Sequence, residues 1–437
     1  PRREDITHRV ARVALVVVTD GAAEVERISR KQSPVRIISL GFALVILIGS
    51  VLLSLPYSIR DGVTLRYIDA LYMSTSAVCV TGLLTVDAGD TFTPLGQFFL
   101  CMLIQIGGLG VTAVGTGVIL AMGKKINLKA RNLIREAGNL DSGKGVIRFI
   151  RLVFLTTVTF ELAGAALSFL VFRKKFPPLK AAGVSLFHSV ASFNNSGFDI
   201  LGGGQNLIPY QDDILLNLVT CALVIFGGIG FLVIREVIAK RFRWKKLSMH
   251  AKVVLFMSLV LTAAGTVLLK LTEDITWMGA FFTSVSARTA GFSTFPLGSF
   301  SGAGLLTVIV LMVIGASPGS TGGGIKTTTC YVLFEGIRSS ATNTSEKAFR
   351  YAVPTDAFRK AAVITLLAIG IVLSGTYILV ILEPGVPFLD ALFEMSSAFG
   401  TAGLSTGISA GLCDAAKILT ILIMFIGRLG PLTIASL

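Results

Sequence analysis

Four segments of fourteen residues, far apart in the chain, align with one another without gaps. They begin at positions 69, 184, 278 and 390 and read DALYMSTSAVCVTG, VSLFHSVASFNNSG, MGAFFTSVSARTAG and DALFEMSSAFGTAG. Each segment has a small residue second, an aromatic residue fourth and a glycine last. The four closing glycines are Gly82, Gly197, Gly291 and Gly403. A period of roughly one hundred residues is too long for a solenoid and predicts four tandem structural repeats.

The composition places these repeats in a membrane. Hydrophobic residues make up 53% of the 437 residues and charged residues only 15%, whereas soluble domains carry about 25% charged residues. An ordinary soluble enzyme and a disordered chain are therefore both excluded. The 46 glycines favour close helix packing and exposed backbone along a polar path.

Eight apolar stretches are long enough to be membrane spans. They cover residues 36–56, 97–121, 148–172, 212–235, 250–271, 302–337, 358–382 and 414–437. The sixth is too long and is broken by Gly315–Gly324. Each fourteen-residue segment follows an odd-numbered span and is too short to cross, as in a re-entrant helix. We therefore expect an all-α polytopic membrane protein with four span–pore helix–span repeats around a pseudo-fourfold pore.

The basic residues predict the orientation. The formal net charge is +14, and 29 of the 39 Lys and Arg residues fall in 1–36, 122–151, 235–252 and 326–360, all on one side of eight spans. Positive charge marks the cytoplasmic side, so this pattern favours a plasma-membrane protein with a cytoplasmic N-terminus over a nucleic-acid-binding protein.

These assignments divide the chain into eight parts. The repeats are 34–121, 148–235, 250–337 and 358–437, the third containing an intramembrane loop at 315–326. The cytoplasmic parts are 1–33, 122–147, 236–249 and 338–357.

Candidates for other chemistry are sparse in the sequence. The five cysteines form no CxxC pair and the three histidines are scattered, so neither a disulfide framework nor a metal cluster is indicated. No catalytic carboxylate pair or Ser/His arrangement stands out, and we expect no enzyme and no covalently bound cofactor. A membrane enzyme or receptor stays a distant alternative.

The ends of the four repeated segments fit a cation filter. A dehydrated monovalent cation needs a ring of oxygens, which backbone carbonyls supply without a fixed charge, and glycine permits the backbone angles that turn them toward an axis. The candidate filter residues, with potassium at the four glycines, are Val78, Cys79, Val80, Thr81, Gly82, Phe193, Asn194, Asn195, Ser196, Gly197, Ala287, Arg288, Thr289, Ala290, Gly291, Phe399, Gly400, Thr401, Ala402 and Gly403.

A polar, glycine-rich segment interrupts the sixth span, and a charged arginine lies within the eighth span. The candidate gate residues are Gly315, Ala316, Ser317, Pro318, Gly319, Ser320, Thr321, Gly322, Gly323, Gly324, Lys326 and Arg428. Ile325 separates glycine from lysine, so GSTGGGIKT is not a phosphate-binding P-loop; instead, we expect a flexible stretch that blocks ions and moves aside. Lys326 is placed near the cytoplasmic mouth, with mere snorkelling as the alternative.

Arg428 is a charge within a shared glycine motif. The motif reads IGGLG at 106–110, FGGIG at 226–230 and IGRLG at 426–430. A guanidinium within a span usually faces the protein interior, where it would repel a resident cation below the filter. The alternative is a structural ion pair, for which Glu161 is a candidate partner.

Together, these motifs resemble the Trk/Ktr/HKT superfamily of cation transporters over about residues 34–437, and most of all its Ktr-type membrane subunit. The similarity lies in the four filter glycines, in SPGSTGGGIKTTT at 317–329 and in IGRLGP at 426–431. In that family, glycine at all four filter positions accompanies potassium selectivity, whereas serine in the first marks many sodium-preferring members.

The resemblance implies a potassium-translocating subunit that is channel-like, with sodium a candidate coupling or activating ion. It also implies a homodimer and a Ktr-type cytoplasmic nucleotide-binding regulatory ring. The basic segments 122–151 and 235–252 are candidate contacts for this ring, or equally for anionic membrane lipid. A sodium-selective transporter of the same fold is the near alternative.

Overall fold

The computed structural model describes residues 34–111, 113–115, 117, 146–344, 347–349, 351, 352 and 354–430. The predicted cytoplasmic segment 1–33, nearly all of 122–147 and the end of the eighth span, 431–437, lie outside the described residues.

Each repeat contributes an outer helix, a pore helix and an inner helix. The outer helices are α1 (Pro34–Leu53), α5 (Val146–Phe172), α9 (Met249–Thr272) and α13 (Thr355–Leu382). The pore helices are α2 (Tyr67–Val78), α6 (Pro178–Phe193), α10 (Trp277–Ala287) and α14 (Phe388–Gly400). The inner helices are α4 (Pro94–Leu109), α7 (Ile214–Ile229), α11 (Gly302–Val313) and α15 (Asp414–Leu429).

Shorter elements connect these helices. Three further helices are α3 (Ala88–Thr91), α8 (Phe231–Ala239) and α12 (Thr327–Thr342), and a small hairpin pairs β1 (Lys347–Ala348) with β2 (Tyr351–Ala352). Single 3₁₀ turns lie at Pro56–Ser58, Ile208–Tyr210, Trp244–Lys246, Leu297–Ser299 and Ser409–Gly411. The prediction of an all-α architecture is confirmed apart from this hairpin.

The number of continuous spans differs from the prediction. Within the described residues, the four outer helices are long and apolar enough to cross a membrane, and α7 with α8 makes a fifth crossing if this bent pair is one span. An inner helix of sixteen residues rises only about 24 Å, less than the ~30 Å hydrocarbon core. The predicted order of outer helix, pore helix and inner helix in four repeats is confirmed, whereas the interruptions of the second, fourth and eighth apolar stretches were not predicted, because the sequence indicated a break only in the sixth.

The inner helices are short because a glycine interrupts each of the three that share the sequence motif. Gly110, Gly230 and Gly430 follow α4, α7 and α15 with φ of 87°, 98° and 90°, a region that side chains disfavour. The chain bends by 98° between α7 and α8. In the third repeat the interruption is a whole loop, 314–326, between α11 and α12.

Outer and pore helices approach closely at a glycine in each repeat. A Cβ added at Gly49, Gly164 or Gly265 would collide with a serine of the pore helix, and one at Gly375 would touch Met395. In the first repeat the serine is Ser74, whose Oγ donates to the carbonyl of Ile46 at 2.7 Å. Small residues at such crossings are typical of membrane helices.

The repeats close into a ring. The inner helix of each repeat packs against the pore helix of the next: α4 against α6, α7 against α10, α11 against α14, and finally α15 against α2. The four pore helices therefore surround one axis and bring the four closing glycines to it.

Candidate functional site

The loop after each pore helix has the same unusual backbone. The closing glycines have φ between 70° and 96°, and the residues two positions earlier, Val80, Asn195, Thr289 and Thr401, have φ between 49° and 77°. A β-branched residue with positive φ is strained, yet three of these four are β-branched. Strain repeated in this way marks a conformation that the surrounding structure imposes.

Hydrogen bonds from the loops explain this backbone. The residue before each glycine donates its N–H to a carbonyl near the end of its own pore helix: Thr81 to Ser76 at 2.8 Å, Ser196 to Ala191, Ala290 to Ser286 and Ala402 to Ser397, each of the last three at 2.9 Å. These bonds satisfy helix carbonyls that would otherwise lack partners. Because N–H and C=O point in opposite directions across a trans peptide, the carbonyls of Val80, Asn195, Thr289 and Thr401 face away from the pore helices.

The four glycines meet in cyclic order. A Cβ added at Gly291 would lie 3.1 Å from the Cα atoms of both Gly197 and Gly403, and one at Gly403 would lie 2.9 Å from the Cα of Gly82. No side chain fits at this ring, which explains the glycine at the end of every repeated segment.

A second set of carbonyls lies in the glycine ring itself. A Cβ on any one of the four glycines would strike the carbonyl oxygen that precedes the glycine of a neighbouring repeat, always in the same rotational sense. These oxygens belong to Thr81, Ser196, Ala290 and Ala402. Among the described residues none of them accepts a hydrogen bond, so they are available to a cation.

Some predicted filter side chains support the loops from behind. The side-chain amide of Asn195 lies 3.2 Å from Oγ1 of Thr289, which joins the second and third loops. Asn194 turns outward and donates to Gln105 at 2.9 Å and to Glu161 at 3.0 Å.

Two predicted filter residues differ from this pattern. The guanidinium of Arg288 leaves the axis and donates to the carbonyl of Ser258 on α9 at 3.1 Å. The buried hydroxyl of Thr81 has no hydrogen-bond partner among the described residues. Neither side chain therefore contributes to the ring, to which Thr81 adds only its carbonyl oxygen.

A cavity of about 470 Å³ lies outside the ring and is lined by Gly82, Gly291 and Gly403. The carboxylates of Asp87 and Asp199 are part of its wall. Burial of Asp199, with smaller effects of the nearby charges of Asp87 and Asp90, raises the pKa of its carboxyl to about 7. An entrance with negative charge attracts cations.

The loop 314–326 lies directly on the opposite side of the ring. Thr321 Oγ1 donates to the carbonyl of Phe193 at 3.4 Å, and the N–H of Gly323 donates to Thr401 Oγ1 at 3.0 Å. A Cβ on Gly322 would lie 2.9 Å from the Cβ of Thr289. The loop therefore contacts the predicted filter loops of repeats two, three and four.

The same loop is fastened to the broken inner helix of repeat two. The N–H of Ser317 donates to the carbonyl of Gly228 at 3.0 Å, and the N–H of Phe231 donates to that of Gly319 at 3.2 Å. Backbone groups freed by the break after Ile229 thus find partners in the loop, as buried backbone requires.

Arg428 reaches this loop from the fourth repeat. Its guanidinium donates to the carbonyl of Thr321 in the loop and to that of Gly107 at the end of α4. It forms no ion pair with Glu161, whose side chain is hydrogen-bonded to Asn194, nor with any other acidic residue in the part of the chain that the structure describes.

The side chain of Lys326 is turned toward its own loop. Its Nζ folds back and donates to the carbonyls of Gly322 at 2.8 Å and Gly323 at 3.3 Å. Lys326 therefore holds the loop from within and does not snorkel, while its predicted place near the cytoplasmic mouth stays a prediction.

Sequence reasoning missed the first glycine of the shared motif. A Cβ on Gly107, Gly227 or Gly427 would collide with the last carbonyls of a pore helix, those of Val78, Phe193 and Phe399. The motif thus allows the inner helix to lie directly behind the end of the pore helix. Its recurrence at one position in three repeats was the available signal.

Four re-entrant repeats around a carbonyl-lined axis define a membrane transport protein for cations. Residues 24–276 and 247–437 match the TrkH family of cation transport proteins, and the chain belongs to that family. It is 38% identical to Ktr system potassium uptake protein B of Bacillus subtilis over 92% of each chain. It is also 35% identical to the potassium/sodium uptake protein NtpJ of Enterococcus hirae, over 94% of this chain and 93% of that protein.

A solved structure shares the fold. The potassium transporter TrkH from Vibrio parahaemolyticus superposes with a TM-score of 0.74 at 19% identity, covering 93% of this chain and 85% of that one. The family consists of transporters, which confirms the prediction that the chain is no enzyme and rules out the enzyme alternative.

Proposed function

We propose that this multi-pass membrane protein is the potassium-translocating subunit of a Ktr-type uptake system. The observation that carries this proposal is the closed ring of four glycines and four unbonded carbonyl oxygens. Such a ring replaces the hydration shell of potassium without a fixed charge. The printed names of the relatives, which include a Ktr potassium uptake protein, support the same substrate.

The four loops 78–82, 193–197, 287–291 and 399–403 form the selectivity filter in this proposal, with potassium held by the backbone carbonyls around Gly82, Gly197, Gly291 and Gly403. The C-terminal ends of the pore helices point to the ring, and their partial negative charge favours cations.

The loop 315–326 is the gate, with Lys326 and Arg428 as its fastenings. Its contacts with three of the four loops support a position across the ion path below the ring. Opening requires that the loop exchange these bonds for others, and its glycines allow that change of backbone.

The assembly and the orientation belong to the same proposal. The N-terminus lies in the cytoplasm, and the subunit forms a homodimer that a cytoplasmic nucleotide-binding ring regulates. This ring or anionic membrane lipid contacts the basic segments 122–151 and 235–252. Sodium acts as a coupling or activating ion.

The experiment is ion flux into liposomes that contain the purified protein, with potassium, rubidium and sodium each offered alone, and potassium also offered together with sodium, at fixed membrane potential. We expect potassium and rubidium to enter faster than sodium. Faster entry of sodium would favour the sodium-selective alternative, to which the name of the Enterococcus relative also points. No flux of any of the three ions would contradict the proposal.

A further inference from the structure

A carboxylate is buried behind the filter of the fourth repeat. Glu394 lies in the middle of α14, nine residues before Gly403, and its side chain is fully buried. At the aligned position the other pore helices have Met73, His188 and Phe282. This acid is therefore specific to one quarter of the ring.

Glu394 joins the pore helix to the segment that leaves the filter. Its Oε2 accepts a hydrogen bond from Ser405 Oγ at 2.9 Å, and its Oε1 accepts one from Ser409 Oγ. Ser405 is the second residue after Gly403, and its own Oγ accepts the N–H of Gly407 at 2.9 Å. One carboxylate thus fixes both ends of the turn 405–409.

The charge of Glu394 has no basic partner within 4 Å among the described residues. A buried carboxylate is tolerated only when it is hydrogen-bonded, so the two serine hydroxyls are needed in their present positions. Both serines also line the outer cavity. Any shift of the carboxylate therefore moves the wall next to the ring.

The other three loops are held by neutral side chains. The bonds run from the N–H of Gly82 to Ser76 Oγ at 3.0 Å, from Asn206 Nδ2 to the carbonyl of Gly197 at 3.1 Å, and from Ser286 Oγ to the carbonyl of Phe292 at 2.5 Å. In repeat four, the carboxyl of Glu394 takes this role and accepts two hydroxyl hydrogen bonds.

The geometry points to Glu394 as a positioning residue for ion selectivity: through Ser405 and Ser409 it holds the outer end of the fourth filter loop at its place in the ring. This inference rests on the proposed function, because it takes Gly403 to line the ion path.

The test compares Glu394→Gln, Ser405→Ala and the double variant in the same liposome assay. Gln has the shape of Glu, but its amide nitrogen cannot accept a serine hydroxyl. We expect each single variant to lower the potassium-to-sodium flux ratio roughly fivefold, the lower end of typical coupling between sites, and the double variant to add little. Asp390→Asn, in the first turn of the same helix, is the matched control and should keep the wild-type ratio.

A purely structural role would reduce the yield and thermal stability of the variants and leave the flux ratio of the surviving protein unchanged. Ser405→Ala removes only one hydroxyl and therefore tests the inference even if Glu394→Gln does not fold. A folded Ser405→Ala protein with the wild-type ratio would overturn the inference. If the wild-type protein itself does not discriminate between the ions, the proposed function fails instead.

Discussion

At the scale of single residues, glycine has three separable tasks in this protein. Gly82 and its three counterparts leave room at the axis, Gly107 and its counterparts let inner helices approach the filter, and Gly110 and its counterparts end those helices. The sequence predicted only that Gly82 and its counterparts lie at the axis, where they permit the backbone angles that the loops need. The other two tasks depend on neighbours that are far away in the chain, such as the carbonyl of Val78.

Replacing Gly82 by Ser should weaken selectivity. The new Cβ would strike the carbonyl of Ser196, and the φ of 96° at this position disfavours any side chain. Displacement of one ring oxygen is comparable to losing one hydrogen bond, ~1 kcal/mol, so the potassium-to-sodium flux ratio should fall roughly fivefold. Gly62→Ser is the matched control, because Gly62 has a φ of 81° with nothing within 4 Å of an added Cβ. An unchanged ratio in folded Gly82→Ser protein would remove Gly82 from the filter.

Asp199 should make uptake depend on pH. The raised pKa of about 7 means that this carboxyl is neutral below pH 7 and negative above it, so the cavity attracts cations less strongly in acid. A unit charge about 10 Å away in a water-like medium contributes about 0.4 kcal/mol. The apparent potassium affinity should therefore be roughly twofold weaker at pH 6 than at pH 8. The Asp199→Asn variant should have the weaker potassium affinity at both pH values. If this variant keeps the pH dependence of the wild type, Asp199 is not its cause.

At the scale of elements, the pore helices were predictable and the inner helices were not. The sequence placed the candidate filter at the ends of the repeated segments, beginning at Val78, Phe193, Ala287 and Phe399, and the pore helices end at Val78, Phe193, Ala287 and Gly400. The inner helices looked continuous because hydropathy does not register a single glycine within an apolar run. The breaks are stabilised by tertiary partners, such as the bond from Phe231 to Gly319, which no local pattern reveals.

Substitutions of Arg428 test whether the loop 314–326 is held by the hydrogen bonds of the guanidinium or whether the positive charge of this residue matters instead. Arg428→Ala loses the bonds to Thr321 and Gly107, which should release the loop and raise basal potassium flux several-fold. Arg428→Lys keeps the charge but not the planar fork of donors. If the fork holds the loop, the Lys variant should resemble the Ala variant. If Arg428→Lys has the wild-type potassium flux, repulsion of the resident ion by the positive charge matters instead. If folded Arg428→Ala protein also has the wild-type flux, both roles are contradicted.

At the scale of the whole molecule, the ring closes where the two ends of the repeat array meet, at the contact between α15 and α2. Asp69 lies in the first turn of α2, but its side chain makes no capping bond. Asp69 Oδ1 instead pairs with Lys417 Nζ at 2.6 Å, and both side chains are buried. A pair separated by almost the whole chain cannot be read from local sequence.

Breaking this pair from one side should destabilise the closed ring. Lys417→Met leaves the Asp69 carboxylate buried with only Arg66 beside it, at 3.1 Å on the exposed side. Removing one partner of a buried ion pair typically costs about 3–5 kcal/mol, whereas replacing both by apolar residues is often neutral. We therefore expect a clearly lower thermal unfolding temperature in detergent for Lys417→Met, and recovery toward wild type in the double variant Asp69→Leu/Lys417→Met.

Arg66→Gln, which removes only the exposed partner, is the control and should have a small effect. Equal unfolding temperatures for Lys417→Met and wild type would show that the contact between α15 and α2 does not depend on this pair.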